Sequence, residues 1–399
     1  MTDRAADPHT AVAGRAQDLA ENSRRPIMTA PPAGSLSLAM GEPDLATPDE
    51  IVEACVKALR NGETHYVDQR GLPDLREALA DQLQRRSGNT WMADQVLVTH
   101  GATSALGAVM LALIDPGDVV VIPQPAYSLY EDVVSLAGGV SRLVTLSDDL
   151  HWDLAALEEA LVGAKMLVFA NPSNPTGMVH TDEELRSLAL LAERSEVIVV
   201  ADEAYDRIVF DGHEFASVLT IPGLAERALY VQTFSKTFAM TGWRLGYVAG
   251  PAHLIDAVAR VHATFNGSSN AFVQRAALTA LKVEDSALAA MSSEYERKRD
   301  AVVHRLSACS QLTVRRPEGA FYALVGYDHP HTSVWISEQL QARGVLVRAG
   351  SEYGPDGEGF IRLSFATSLE RLEQAVPIIT EFFEELPLQS VPDPLSSSG

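Results

Sequence analysis

Short runs of β-branched residues alternating with helical stretches constrain this chain more than any other feature. The strand candidates are QVLVTH (95–100), DVVVIP (118–123), SRLVTL (141–146), MLVFA (166–170), VIVVAD (197–202), LYVQTF (229–234) and RLGYVAG (244–250). Helical periodicity marks DEIVEACVKALR, LPDLREALADQLQRR, ALGAVMLALI and DEELRSLALLAERS. This alternation predicts an α/β fold, a largely parallel sheet covered by helices. The order changes after about residue 285. A long helical stretch (SALAAMSSEYERKRDAVVHRLSA) precedes short strands around AFYALVG and FIRLSFA and a last helix, RLEQAVPIITEFFEEL. The expected organisation is an N-terminal arm (1–34, partly disordered), a large domain (35–285), a smaller α+β domain (286–388) and a flexible tail (389–399). Residues 35–50 are expected against the small domain.

Charge and cysteine usage narrow the partners. A formal net charge of −22 argues against nucleic acid or an anionic membrane surface, both of which attract basic patches. Cys55 and Cys309 are too few for a disulfide framework. No apolar run approaches a membrane span, and the polar, Ala-rich N-terminus lacks a signal-peptide core, so a cytoplasmic protein is expected.

Four segments carry chemistry. In FSKTFAMTGWRLG (234–246), Ser235 and Lys236 follow a predicted strand and Arg244 lies eight residues on. In VIVVADEAYDRI, Asp202 stands at the carboxyl end of a strand, where open α/β sheets place their ligand crevice, with Tyr205 three residues later. Asp202 reads either as a helix N-cap or as a carboxylate opposite a protonated pyridine nitrogen. FANPSNPTGMV (169–179) has more Asn-Pro pairs than one turn needs, and Asn174 could aim its amide at a ligand. In VTHGATSALGAVMLAL (98–113), the free N–H groups of Gly101, Ala102 and Thr103 would face an anion at a helix N-terminus. The eleven histidines show no metal-like spacing and no G-x-S-x-G elbow is present, so no metal and no Ser-His-Asp hydrolase are expected.

Together these segments resemble the aspartate aminotransferase-like branch of the class I/II, fold-type I enzymes that use pyridoxal 5′-phosphate. The similarity runs from GEPDLATP (41–48) to FIRLSFATS (360–368). It implies a mixed, mostly parallel seven-stranded sheet between helices, with a smaller α+β domain. It implies that Lys236 holds the cofactor as a Schiff base, that Asp202 pairs with the pyridine nitrogen, and that Tyr205 and Asn174 bond the phenolic oxygen. Ser235, Arg244 and the Gly101–Thr103 turn would hold the phosphate, and Tyr127 would stack on the ring. Arg362 would grip the substrate carboxylate, with Gly41 lining that pocket. Tyr66 would reach the phosphate of a neighbouring subunit, which implies a homodimer with shared sites. The implied reaction moves an amino group from an L-amino acid to a 2-oxo acid.

Two departures stand out. The segment before GEPDL is short and Pro-rich, and Asp68, Gln69 and Arg70 make the loop after Tyr66 unusually polar. That loop could select a charged substrate side chain or simply be solvated. A lyase, cyclase or oxidative enzyme would share the same cofactor residues. A non-catalytic regulator would need a DNA-binding segment that this acidic chain lacks.

Overall fold

The computed structural model describes residues 12–27 and 29–386. Thirteen strands occur among them: β1 (Leu36–Ser37), β2 (Val96–Thr99), β3 (Val119–Gln124), β4 (Val140–Thr145), β5 (Met166–Ala170), β6 (Ile198–Asp202), β7 (Ala228–Thr233), β8 (Gly246–Ala249), β9 (Leu312–Val314), β10 (Tyr322–Tyr327), β11 (Val345–Leu346), β12 (Arg348–Ala349) and β13 (Phe360–Ser364). Seven build the main sheet, in the order β2-β8-β7-β6-β5-β3-β4. All its pairs are parallel except those made by β8, which runs antiparallel to β2 and to β7. The sheet is thus α/β and mostly parallel, as expected.

The strand sequences are apolar on both faces because helices cover both. Val199 and Ala201 join one core cluster while Val200 joins the other, and Tyr230 and Val231 divide the same way. This is the two-residue alternation of a pleated strand. Each fully buried Val or Leu contributes about 1.5–3 kcal/mol. The first seven helices are α1 (Gly14–Asn22), α2 (Asp49–Arg60), α3 (Pro73–Ser87), α4 (Ala102–Leu113), α5 (Leu129–Ala137), α6 (Leu154–Leu161) and α7 (Asp182–Arg194). A third cluster lies among the helix Asp285–Leu306, the helix Leu369–Glu385 and the four-stranded sheet β12-β13-β10-β9. β1 pairs in parallel with β11, tying residues 36–37 to that part of the chain.

Strand ends fall within two residues of the sequence reading, and β5 coincides with it. RLGYVAG starts as a strand only at Gly246, because Arg244 has φ +55°, a left-handed backbone that cannot join a ladder. Inside the arm, α1 buries no residue, so no apolar stripe announces it. Polar contacts hold the stretch after it: Ser23 Oγ donates to Asp132 on α5 at 3.0 Å and Arg24 lies 3.4 Å from Glu131. No helix among the described residues is long and apolar enough to cross a membrane.

Candidate active site

Parallel strands end at one edge of the sheet, and the four motif segments leave from that edge. β5 runs into the Asn-Pro loop, β6 ends on Asp202, β7 leads into Ser235 and Lys236, and β2 leads into Gly101 and α4. Arg244 reaches the same edge because β8 is reversed and starts there. A cavity of about 470 Å³ opens at this edge. Gly41, Ala102, Thr103, Tyr127 and Asn174 line it, as do Asp202, Tyr205, Ser235, Lys236, Arg244 and Arg362. Gly101 stands just behind, as the N-cap of α4.

Two glycines are there for space. A Cβ on Gly41 would overlap the Tyr322 hydroxyl at 1.8 Å. Gly101 adopts φ +82°, and a Cβ there would sit 2.9 Å from Arg244 Nη2.

Lys236 lies between the Tyr205 and Phe321 rings, its Nζ 5.8 and 5.7 Å from their centroids, and donates to the Gly41 carbonyl. Its pKa falls to about 8, chiefly because burial penalises the ammonium; Glu42 and Asp202 oppose that fall, whereas Arg362 and Arg244 add to it. Asp202 is buried, and burial raises its carboxyl to about 6. Tyr130 donates to its Oδ2 at 3.1 Å, while its Oδ1 is buried without a partner. A buried carboxylate oxygen with no donor is costly unless a ligand supplies one.

At the other end of the cavity, Ala102 and Thr103 open α4, where N–H groups have no intrahelical acceptor. Ser235 Oγ lies 2.9 Å from Thr233 Oγ1, which also lies within hydrogen-bond distance of the Leu245 carbonyl. The Arg244 guanidinium donates to the Thr241 carbonyl at 3.1 Å and abuts Gly101. Two N–H groups, a hydroxyl and a guanidinium make an anion cradle.

Arg362 is buried in a third corner, stacked 4.4 Å over the Tyr322 ring and 5.2 Å from that of Tyr353. Its Nη1 donates to Asn174 Oδ1 at 3.3 Å and its Nη2 to the Ala39 carbonyl, while its Nε has no partner. The Tyr205 and Tyr322 hydroxyls are 2.8 Å apart.

Tyr66 is the one predicted site residue outside this group: it is 97% exposed and does not line the cavity. Asp68 and Arg70 are occupied within their own chain. Arg70 donates to Asp256 at 2.6 Å and to the Asp94 carbonyl at 2.7 Å, and Asp68 accepts from the Arg70 backbone and faces Arg76.

Sequence reasoning missed three contributors. Tyr130 stands three residues after Tyr127, a helical spacing that was a usable signal. Tyr322 gave none. Arg25, from the arm, lines the cavity with its guanidinium 5.7 Å from the Tyr127 ring.

The family description "Aminotransferase class I and II" matches residues 33–379. The chain belongs to that family. An aspartate aminotransferase of Pyrococcus abyssi is 37% identical over 360 residues, 88% of this chain and 92% of that one. The solved aspartate aminotransferase of Thermotoga maritima superimposes with a TM-score of 0.83 at 35% identity, covering 88% of this chain and 92% of that one. An aromatic aminotransferase from Pyrococcus horikoshii gives 0.85 at 36% identity, over 88% and 96%. This aminotransferase therefore resembles relatives named for two different substrates.

Proposed function

We propose that this aminotransferase works through pyridoxal 5′-phosphate and takes an acidic L-amino acid as one substrate. The observation that carries the cofactor reading is one cavity lined by a buried lysine, a buried carboxylate with an orphaned oxygen and an anion cradle. Those groups fit an aldehyde, a pyridinium and a phosphate respectively. When bound, such a cofactor supplies the electron sink that makes a substrate Cα–H acidic.

The chain's own residues do the rest. Asp202 keeps the ring nitrogen protonated, and Tyr130 fixes the carboxylate through its Oδ2. Ser235, Arg244 and the start of α4 anchor the phosphate. Arg362 takes the substrate α-carboxylate in a two-pronged grip, because its planar fork matches two oxygens. Lys236, with its Nζ in the same cavity, would carry a proton from the substrate Cα. Its lowered pKa leaves a usable fraction neutral near pH 7. Tyr205 and Asn174 orient the ring's phenolic oxygen.

Arg25 supports the choice of acidic substrate. It is half-buried at the cavity wall, and no carboxylate among the described residues lies within ion-pair distance of it. Arg348, also on the wall, already faces Glu352 at 3.3 Å. The two arginines proposed to hold substrate separate in a kinetic panel. Arg362→Lys should lower kcat/KM for every amino acid by about 10- to 150-fold, the worth of one charged hydrogen bond. Arg25→Ala should lower it similarly for aspartate and glutamate only. An equal loss for phenylalanine, or none for aspartate, overturns the acidic-substrate reading.

We also assign two copies per active assembly in the cytoplasm. Tyr66 is almost fully exposed and Phe265 is 69% exposed, which suits a covered face, and Cys55 and Cys309 are unpaired. Tyr66→Phe should weaken retention of the cofactor by about 10-fold, the worth of one hydrogen bond. Unchanged retention on dilution removes the cross-subunit role.

A further inference from the structure

About residue 180 the fold gathers groups that the sequence scatters. His151 comes from the loop between β4 and α6, His180 from the end of the Asn-Pro loop, and Glu184 from the first turn of α7. One ligand atom of each lies within 4.8 Å of the other two. We propose that His151, His180 and Glu184 form a binding site for a divalent transition-metal ion, with Glu318 as the carboxylate that orients His151.

The geometry has the parts such a site needs. Glu184 spends one oxygen on its helix cap: Oε2 accepts from the Thr181 backbone at 2.8 Å and from its hydroxyl at 3.0 Å. That leaves Oε1, which lies 3.0 Å from His151 Nδ1 and 3.5 Å from His180 Nδ1. Tetrahedral ligands on a zinc ion stand about 3.3 Å apart, given bonds of about 2.0–2.1 Å.

His180 supplies the second, independent observation. Its ring is 3% exposed, and Nδ1 is buried without a hydrogen-bond partner. The ring stacks on Trp152 at 3.7 Å and meets Phe169 edge-on at 5.6 Å, so it cannot swing away to find one. A buried imidazole nitrogen held towards a carboxylate is pre-organised for a ligand.

The far side of His151 completes the arrangement. Its Nε2 faces Glu318 Oε2 at 3.8 Å. A carboxylate behind the non-ligating nitrogen is the usual way to fix the tautomer and raise the basicity of a metal-bound histidine. The His151 side chain is 22% exposed, so the cluster can be reached from solvent. Two imidazoles and a carboxylate suit zinc and its first-row neighbours rather than calcium or magnesium.

The site is separate from the catalytic cavity, though it clamps its wall. Glu318 Oε2 also accepts from the Val179 backbone at 2.9 Å, and its own N–H donates to the Gly177 carbonyl at 2.9 Å. An ion here would tie the loop bearing Asn174 to the segment leading into β10. The role is structural, so its test does not depend on turnover.

The experiment titrates Zn²⁺ into chelator-dialysed holoenzyme, following heat and bound metal. Wild type should take up one ion per chain with micromolar or tighter affinity and gain melting temperature. Glu318→Gln keeps an acceptor for Val179 and should bind about 10- to 100-fold more weakly. His151→Gln, at the partly exposed side of the cluster, should lose that uptake and the thermal gain while keeping the unliganded melting profile. If wild type and His151→Gln bind alike, or neither binds, the cluster is only a proton-bridged His151–Glu184 contact and the proposal fails. Should His151→Gln unfold, His180→Asn decides by the same comparison.

Discussion

Lys236→Ala protein is expected to lose about 10,000-fold in turnover, the upper end of what one general base supplies, together with the visible absorbance of a lysine-bound cofactor. Both losses follow from the position of the amine. Nζ is buried among the Tyr205 and Phe321 rings and the Gly41 carbonyl, and no other lysine lines the cavity. Burial also sets its chemistry. With a pKa of about 8, roughly one amine in ten is neutral at pH 7, against about one in 3,000 for an ordinary lysine at 10.5. Absorbance spectra and single-turnover rates with a good amino donor check this. A variant that keeps either the band or the rate places the chemistry elsewhere.

Asp202→Asn should cost about 100- to 5,000-fold in kcat, because removing one member of a buried ion pair costs about 3–5 kcal/mol. The same residue predicts a pH dependence. Without a cation opposite it, the Asp202 carboxyl has its pKa raised to about 6 by burial. A bound pyridinium favours the carboxylate and pulls that value down. Binding therefore has to expel a proton below about pH 6. Cofactor affinity should be full above that pH and fall as the pH drops through it. The cofactor's own phosphate also titrates in this range, so the informative quantity is wild type minus Asp202→Asn. A difference curve flat from pH 5 to 8 would remove Asp202 from the ring nitrogen.

Much of this was legible in the chain. Parallel strands announce themselves as apolar runs, and the residues at their carboxyl ends are fixed by connectivity. Asp202 and Lys236 could therefore be assigned to one crevice from sequence spacing and motif. What escaped was whatever depends on side chains converging across distant segments. Tyr322 comes 117 residues after the Tyr205 whose hydroxyl it meets, and no local pattern marks it. Arg25 follows a helix with no buried face, so the arm read as a lead-in although its end lines the cavity. The histidines at 151 and 180 lie far outside any short metal-ligand spacing, so no local pattern marks their cluster. The sequence patterns also left open which strand of the mixed sheet runs backwards, and it is β8, since direction leaves no trace in an apolar run buried on both faces.

The most direct measurement is to load the protein with pyridoxal 5′-phosphate, reduce it with borohydride, digest it and locate the pyridoxyl adduct by mass spectrometry. A single adduct on the peptide carrying Lys236, with none formed by the Lys236→Ala protein, is the predicted result. An adduct on another lysine, or none at all, contradicts the account.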